Sequence, residues 1–285
     1  MTTGLADMER FFAEARDRSR SIGERCAALG RSLEIGDTFY SSPADPKADP
    51  VLAKWLLETQ AQMDRLFHDE LRPALDSTGI ELASVTTLDA SERAYLERNI
   101  FEPILPVLTP LALDRACPLP RVDGRSLAVA FVLAPTERGV RRGHDDLFAM
   151  VQVPRLVRRL VAVPQNGAHL LHATRKLVPF EELVAAFGAR LFTGYHVTEI
   201  GFFRVTCSPI GAPRRLELNL HSTSTSAFPT RIEERLHQVL PSATLCRRSS
   251  MLQLQDLCRL VTPNRLPARR VEPMVAALTA LAVAS

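Results

Sequence analysis

The segment that decides the fold reads NIFEPILPVLTPLALD and runs from Asn99 to Asp114. It holds three prolines within eight residues, at Pro103, Pro106 and Pro110. Because proline fixes φ and lacks a backbone donor, the segment predicts a rigid corner at which a helix ends and a short apolar strand begins. The chain on the two sides of the corner is therefore expected to differ in secondary structure.

Helical spacing characterises the chain before this corner. Apolar residues recur at steps of three and four over 5–33, which predicts one long amphipathic helix. A second helix is predicted over 51–75. A third is predicted to begin near Asp89 or Ser91, either of which can cap it, and to end at Pro103. Three helices with long apolar stripes predict a bundle.

The pattern after the corner changes to short segments of both kinds. The predicted strands cover 126–133, 147–153, 160–163, 197–206, 215–220 and 243–247. The predicted helices cover 179–187, 229–240, 252–261 and 272–284. The polar, glycine-bearing stretch 135–146 is predicted to be a mobile loop.

The predicted fold class is α+β, with an N-terminal helical bundle followed by a mixed α/β middle domain. The bundle is assigned to residues 1–103, the α+β domain to 104–265 and a C-terminal helical tail to 266–285. No strand is expected before residue 100.

Composition argues against several classes of protein. The chain has 285 residues, of which 46% are hydrophobic and 24% charged, as in ordinary soluble proteins. No apolar run reaches the roughly 20 residues of a membrane span, and the N-terminus lacks the layout of a secretion signal, so a cytoplasmic protein is expected. Five scattered cysteines without a Cys-x-x-Cys spacing argue against a disulfide framework and a zinc site.

Arginine dominates the basic residues. The net charge is only +3, but Lys47, Lys54 and Lys176 are the only lysines among 35 basic residues. The planar guanidinium matches phosphate oxygens two at a time, so phosphate binding would favour this bias. A genome composition rich in arginine codons is the preferred explanation, and the arginine bias alone therefore does not establish phosphate binding. Aromatic residues are only 6% of the chain and offer few stacking platforms, so no nucleic acid is expected as a partner.

The sequence holds no recognisable catalytic motif. Neither a G-x-x-x-x-G-K-[ST] nor a G-x-G-x-x-G phosphate loop is present. His169 and His172 have a spacing that could suit a metal, but a surface or half-buried position is the preferred interpretation. No catalytic residue and no metal site are predicted.

A resemblance to a known family extends along most of the chain. The run 99–114 ends in ten residues, 105–114, that resemble the signature F-P-V-L-T-P-L-A-x-D, which opens the middle domain of bacterial polyphosphate kinases. Further segments are similar to family signatures in the same order, at 71–80, 151–164, 179–194, 203–206 and 215–218. The resemblance covers roughly residues 5–265 and identifies the chain as a homologue of the family's N-terminal and middle (head) domains.

The resemblance implies a role in ATP:polyphosphate phosphoryl transfer, with ATP and Mg²⁺ as the family's cofactors. The family's catalytic histidines and metal-binding residues lie in two C-terminal domains, and no histidine of this chain sits in a matching motif. The chain is therefore expected to be a truncated or split homologue that holds no cofactor and is inactive alone, and whether to class it as an enzyme stays open. The alternative is a non-enzymatic binding or dimerisation module that associates with polyphosphate or an intact kinase.

Four residues are the candidate contacts. The resemblance aligns Asp7 with a family asparagine that contacts adenine, which makes Asp7 a candidate nucleotide contact; the alternative is that Asp7 caps the first helix. Arg155, Arg158 and Arg159 fall within a family-like segment, and they are candidate polyphosphate contacts because the family's middle domain helps to form a polyphosphate channel. The alternative is a solvated face with local salt bridges.

Association with another chain is also expected. The family's bundle begins with a helix that has no counterpart here, so an uncovered apolar seam is predicted. The resemblance implies assembly through these two domains. A homodimer or a complex with a polyphosphate kinase catalytic chain is the predicted outcome.

Overall fold

The structure is a computed structural model of the chain. It describes residues 2–42, 46–113, 126–136, 146–154, 157–164, 175–209, 212–220 and 231–248, together with Met251 and Asp256. The helix predicted over 272–284, nearly all of that predicted over 252–261, and most of the loop predicted over 135–146 lie outside the described residues.

Among the described residues, most α-helices lie in the first 104 positions and two more lie farther along the chain. They are α1 (Thr2–Arg16), α2 (Ile22–Ser41), α3 (Pro50–Arg65), α4 (Arg72–Ser77), α5 (Ala90–Leu96), α6 (Glu102–Ile104), α7 (Phe180–Phe187) and α8 (Arg231–Val239). Two π-helical turns, Leu66–Leu71 and Glu97–Phe101, join α3 to α4 and α5 to α6.

The prediction of a single long helix over 5–33 is wrong. Residues 17–21 separate α1 from α2, because polar side chains there take over the backbone hydrogen bonds. The Asp17 carboxylate accepts from the Ser19 amide at 3.0 Å, and Ser21 forms a capping box with Glu24 at the start of α2. The two helices fold back on each other, and the Ser32 hydroxyl of α2 donates to a main-chain carbonyl of α1.

The third predicted helix begins where the sequence placed it. Asp89 caps α5 and forms a capping box with Glu92. The helical path continues past the predicted end at Pro103, since this proline lies in the first turn of α6, where a missing amide breaks no helical hydrogen bond. A short 3₁₀ turn, Leu105–Val107, then completes the corner before β2.

The strands that the structure describes form two sheets. They are β1 (Ile80–Leu82), β2 (Pro110–Ala112), β3 (Leu127–Pro135), β4 (Leu147–Gln152), β5 (Leu160–Ala162), β6 (Arg175–Pro179), β7 (Tyr195–Cys207), β8 (Pro213–Leu220) and β9 (Thr244–Arg247). One sheet has the order β2-β4-β3-β7-β8-β9, with β8 and β9 parallel and all other pairs antiparallel. The other has the order β1-β6-β5. The predicted α+β class is confirmed.

The expectation of no strand before residue 100 is wrong. Strand β1 pairs in parallel with β6, with Ile80 opposite Arg175 and Leu82 opposite Leu177. Gly79 supplies the turn out of α4 with a φ of +79°, which a residue with a side chain rarely adopts. The helical part of the chain therefore contributes a strand to a sheet of the later part.

Strand β3 is buried on both faces. Val129, Phe131 and Leu133 pack into a core beneath α7, whereas Ala128 and Ala130 face a second core that includes α8. A third core holds the apolar stripes of α1, α2 and α3 together. Because both faces of the sheet are covered, the strand is apolar along nearly its whole length.

The prediction of an uncovered apolar seam is wrong for the part of the chain that the structure describes. The exposed large hydrophobic residues there are Val51, Tyr95 and Tyr195, which come from three separate elements. The hairpin of α1 and α2 covers the stripe of α3, because the break at residues 17–21 lets one predicted helix supply two walls.

Candidate functional site

Strands β7 and β8 carry charged side chains into the interior. Arg204 of β7 and Glu217 of β8 are register partners, each about 1% exposed, and the Arg204 Nη1–Glu217 Oε2 distance is 3.2 Å. Arg215 lies two residues before Glu217 on the same face and approaches it to 3.6 Å. Arg248, just after β9, also bonds to Glu217. Three guanidinium groups therefore converge on one carboxylate.

Side chains of the helices complete this cluster. Asp37 of α2 accepts from Arg215, and Gln60 of α3 accepts from the same guanidinium at 3.4 Å. Asp64 of α3 accepts from the Nε of Arg248 with both carboxylate oxygens, each at 2.9 Å. We call Arg204, Arg215, Arg248, Glu217, Asp37 and Asp64 the charge network. It fastens the N-terminal helices to the six-stranded sheet.

The network balances three positive charges with three negative ones. Burial alone would raise the pKa of Glu217, but Arg215, Arg248 and Arg204 hold it well below its usual range. Burial works against the charged form of Arg215, but Glu217 and Asp37 raise its pKa. Burial lowers the pKa of Arg204 despite Glu217. Carboxylates of this chain therefore balance the positive charges of these arginines in the interior, and the three guanidinium groups do not face an external anion.

The two described members of the three candidate polyphosphate contacts, Arg158 and Arg159, differ in exposure and in bonding. Arg155 lies outside the described residues, and Arg158 is exposed. The Arg159 guanidinium is bound by Glu181 at 2.5 Å and 3.1 Å and lies 3.6 Å from Asp256. Burial lowers the pKa of Arg159, but the two carboxylates raise it beyond its ordinary value. Arg159 thus serves an internal ion pair, and Arg158 is the described member of the trio that faces solvent.

Asp7 lies in the middle of α1 rather than before it. The helix begins at Thr2, so the alternative role of Asp7 as an N-cap is wrong. Its carboxylate is exposed and accepts from Arg10 Nη2 at 2.9 Å, one turn along the helix. The nucleotide contact assigned to Asp7 stays a prediction.

A cavity of about 130 Å³ lies where the helices meet the sheets. Its lining includes His68 and Arg72, at and after the first π-helical turn, and Glu181 and Glu182 in the first turn of α7. Sequence reasoning missed these residues as a site. Two family-like segments, 71–80 and 179–194, contain three of them, but nothing in either segment indicated that the two meet.

Two kinds of feature are absent from the described residues. No group of three or more histidine, cysteine, aspartate or glutamate side chains is placed to hold a metal ion in this part of the chain. No helix within the same residues has the length and apolar character needed to cross a membrane.

The sequence is similar to one family of known proteins. A family model described as the polyphosphate kinase middle domain matches residues 91–238. The polyphosphate kinase of Mycobacterium avium (strain 104) is 41% identical over 187 residues, which are 64% of this chain and 25% of that protein. The polyphosphate kinase of Bacillus cereus is 31% identical over 253 residues, which are 81% of this chain and 34% of that protein.

The fold is also similar to a solved structure. The crystal structure of polyphosphate kinase from Porphyromonas gingivalis matches with a TM-score of 0.71 at 22% identity, over 93% of this chain and 41% of that one. This chain thus spans 25% to 34% of the length of the curated relatives described above.

Proposed function

The chain belongs to the polyphosphate kinase family, and we propose that it supplies the N-terminal and middle-domain part of such a kinase. In this role the chain contributes to assembly of the kinase and to contact with polyphosphate or nucleotide. The proposed setting is polyphosphate metabolism in the cytoplasm. The observation that carries the proposal is the match of residues 91–238 to the family's middle domain. The alternative is a non-enzymatic module that binds polyphosphate or an intact kinase.

The charge network supports a scaffold role. Phosphoryl transfer requires cations and metal ions that neutralise charge on the phosphoryl oxygens. The buried arginines Arg204, Arg215 and Arg248 are instead engaged by carboxylates of this chain. They hold helices and sheet together, which is what an accessory part needs in order to present a defined surface to its partner.

We expect the 285-residue chain by itself to catalyse no phosphoryl transfer. The expected result of incubation with ATP, Mg²⁺ and a polyphosphate primer is no chain growth and no phosphohistidine, because the family's catalytic histidines lie in other domains. Radiolabel transfer from ATP into polymer measures this. A full-length polyphosphate kinase in the same buffer is the positive control, and ATP-dependent chain growth by this chain free of contaminating kinase would contradict the proposal.

Binding of polyphosphate is proposed at the exposed Arg158, together with Arg155. Arg158→Ala is expected to weaken binding severalfold and to reduce the slope of log K against log[salt] by about one, because one phosphate contact is lost. Fluorescence anisotropy with labelled polyphosphate at several salt concentrations measures both. The matched control is Arg98→Ala, which removes another exposed arginine, from the second π-helical turn. An equal effect of the two variants would remove the assignment.

Two further roles rest on the family relationship. Asp7 is proposed as a nucleotide contact, because its exposed carboxylate can accept from the amino group of adenine. A second copy of this chain or a polyphosphate kinase catalytic chain is proposed as the partner. The seam that favoured a homodimer is absent from the described residues, so the family relationship alone supports this partner.

A further inference from the structure

The cavity at the junction of helices and sheets takes its lining from both parts of the chain. His68 and Arg72 reach it from the N-terminal helices, and Phe202 reaches it from β7. The π-helical turn Leu66–Leu71 carries part of the lining, and such turns are rare overall but frequent at functional sites. The groups that the cavity offers therefore indicate what it can bind.

Arg72 is the lining residue with a permanent positive charge. It is half-buried, and its Nη2 donates to the main-chain carbonyl of Leu82 at 2.7 Å, which fixes the guanidinium. A guanidinium has five N–H donors. Among the described residues Leu82 is its hydrogen-bond partner, and no carboxylate lies within ion-pair distance of it. The remaining donors of Arg72 are thus available to an anionic group.

His68 lies beside Arg72 and offers a second donor. The Arg72 amide donates to the Phe67 carbonyl and closes the π-helical turn that contains His68. Side chains four positions apart on a helix are neighbours, with about 5–6 Å between their Cβ atoms. The imidazole is exposed and also lines the cavity, so its nitrogens can reach the same anionic group as the guanidinium.

Two carboxylates of the lining limit the charge of a ligand. Glu181 is 3% exposed and accepts from Arg159 at 2.5 Å and 3.1 Å, and Glu182 accepts from the Ser84 hydroxyl at 2.7 Å. Both are engaged within the protein, and both repel a second negative charge in the same cavity. The cavity therefore favours an anion with a single charge.

Apolar side chains supply much of the remaining lining. Phe67 and Phe202 are 7% and 4% exposed, and Leu82, Pro179 and Met251 extend the apolar wall. The volume is about 130 Å³. Because a cavity of about 150 Å³ admits benzene, this one fits a ligand of about six non-hydrogen atoms. Such a ligand has room for a short apolar body next to its charged group.

We propose that this cavity binds a short-chain monocarboxylate, with its carboxylate at Arg72 and His68 and its alkyl group against Phe67 and Phe202. One cationic corner beside two aromatic rings matches a molecule with one charged end and an apolar body. The inference goes beyond the proposed family function, and its failure would leave that function intact.

The test uses the 285-residue chain with butyrate as the probe at constant ionic strength. Butyramide removes the charge, acetate removes two methylene groups, and succinate and inorganic phosphate add a second negative charge. Butyrate is expected to bind saturably in the millimolar range and to raise the melting temperature, since it binds the folded state. Saturation-transfer NMR and thermal denaturation measure both.

The comparison compounds are expected to bind more weakly than butyrate. Butyramide should lose about tenfold or more, because it lacks the charge-assisted hydrogen bond. Acetate should lose about tenfold, because two methylene groups are no longer buried. Succinate and phosphate should also bind more weakly, because Glu181 and Glu182 oppose their second charge.

Two variants locate the site. Arg72→Gln keeps a donor for the Leu82 carbonyl and is expected to weaken butyrate binding about tenfold or more. His68→Ala changes an exposed side chain and is expected to weaken it severalfold. Arg98→Gln, which changes an exposed arginine on the other π-helical turn, is the matched control and should leave butyrate binding unchanged.

Three outcomes would overturn the proposal. They are the absence of saturable butyrate binding, butyramide or phosphate binding as tight as that of butyrate, and butyrate binding that survives both Arg72→Gln and His68→Ala in variants whose near-UV circular dichroism matches that of the parent chain. The comparison of butyrate with butyramide tests the charge in the parent chain itself and holds even where Arg72→Gln does not fold.

Discussion

Replacing Glu217 with glutamine is expected to lower the free energy of unfolding by about 3–5 kcal/mol, the loss found when one partner of a buried ion pair is removed. The variant leaves Arg204, Arg215 and Arg248 in the interior without the carboxylate on which they converge. Glutamine has nearly the same shape, so the loss reports charge rather than packing. Chemical denaturation followed by circular dichroism measures it.

The pH dependence of stability provides a second readout of the same variant. The pKa of Glu217 is lower in the folded protein than in the unfolded chain, where it is about 4.3. The contribution of ionised Glu217 to the free energy of unfolding is therefore complete above about pH 4.3 and is lost progressively as the pH falls from there towards the lower pKa of the folded state. Stability of the parent chain should therefore decline more steeply in acid than that of Glu217→Gln. Identical slopes below about pH 4 would contradict the network's role.

Glu58→Gln is the matched control for this variant. Glu58 is 60% exposed and forms a 3.8 Å pair with Lys54 one turn away on α3. Exposed pairs of this kind contribute about 0.3–0.5 kcal/mol. The same chemical change should therefore have about a tenth of the effect at this position, and a comparable loss at both sites would mean that burial of the network is unimportant.

Local signals in the sequence predicted much of the fold. The cap at Asp89 and the short segments that form strands β3 and β7 depend on residues near in sequence, so local patterns and capping rules found them. The break after α1 was missed because the spacing of three and four residues continues through Ser19, although residues 17–21 hold no apolar side chain and Asp17 and Ser21 redirect the backbone there. Strand β1 was missed because its pairing with β6 joins residues about a hundred positions apart.

The candidate site was less accessible to sequence reasoning. Arg159 looked like a surface cation because nothing nearby indicated its partners Glu181 and Asp256. Arg215 stands in a strand with Glu217, but its burial depends on Asp37, which is 178 positions away. A buried arginine needs such partners, and they become visible only once the helices are placed on the sheet.

Arg215→Met is expected to produce the second large loss of stability, again about 3–5 kcal/mol. Arg215 is 1% exposed, contacts Asp37 and Glu217, and stacks over the Tyr40 ring at 4.5 Å. Methionine keeps much of the apolar stem but removes the charge, and it leaves both carboxylates without this partner. Thermal and chemical denaturation of the variant measure the loss.

A double-mutant cycle isolates the contact between helices and sheet. Asp37→Asn alone should also destabilise, but the pair with Arg215→Met should cost less than the sum of the single losses, with a coupling energy of about 0.5–3 kcal/mol. Arg247→Met is the control, because Arg247 is 68% exposed and its pair with Glu233 should contribute no more than about 1 kcal/mol. Additive losses at Asp37 and Arg215 would show that the two residues do not stabilise each other. The helices would then be held to the sheet by apolar contact and by Asp64–Arg248 alone among the charged pairs of the network.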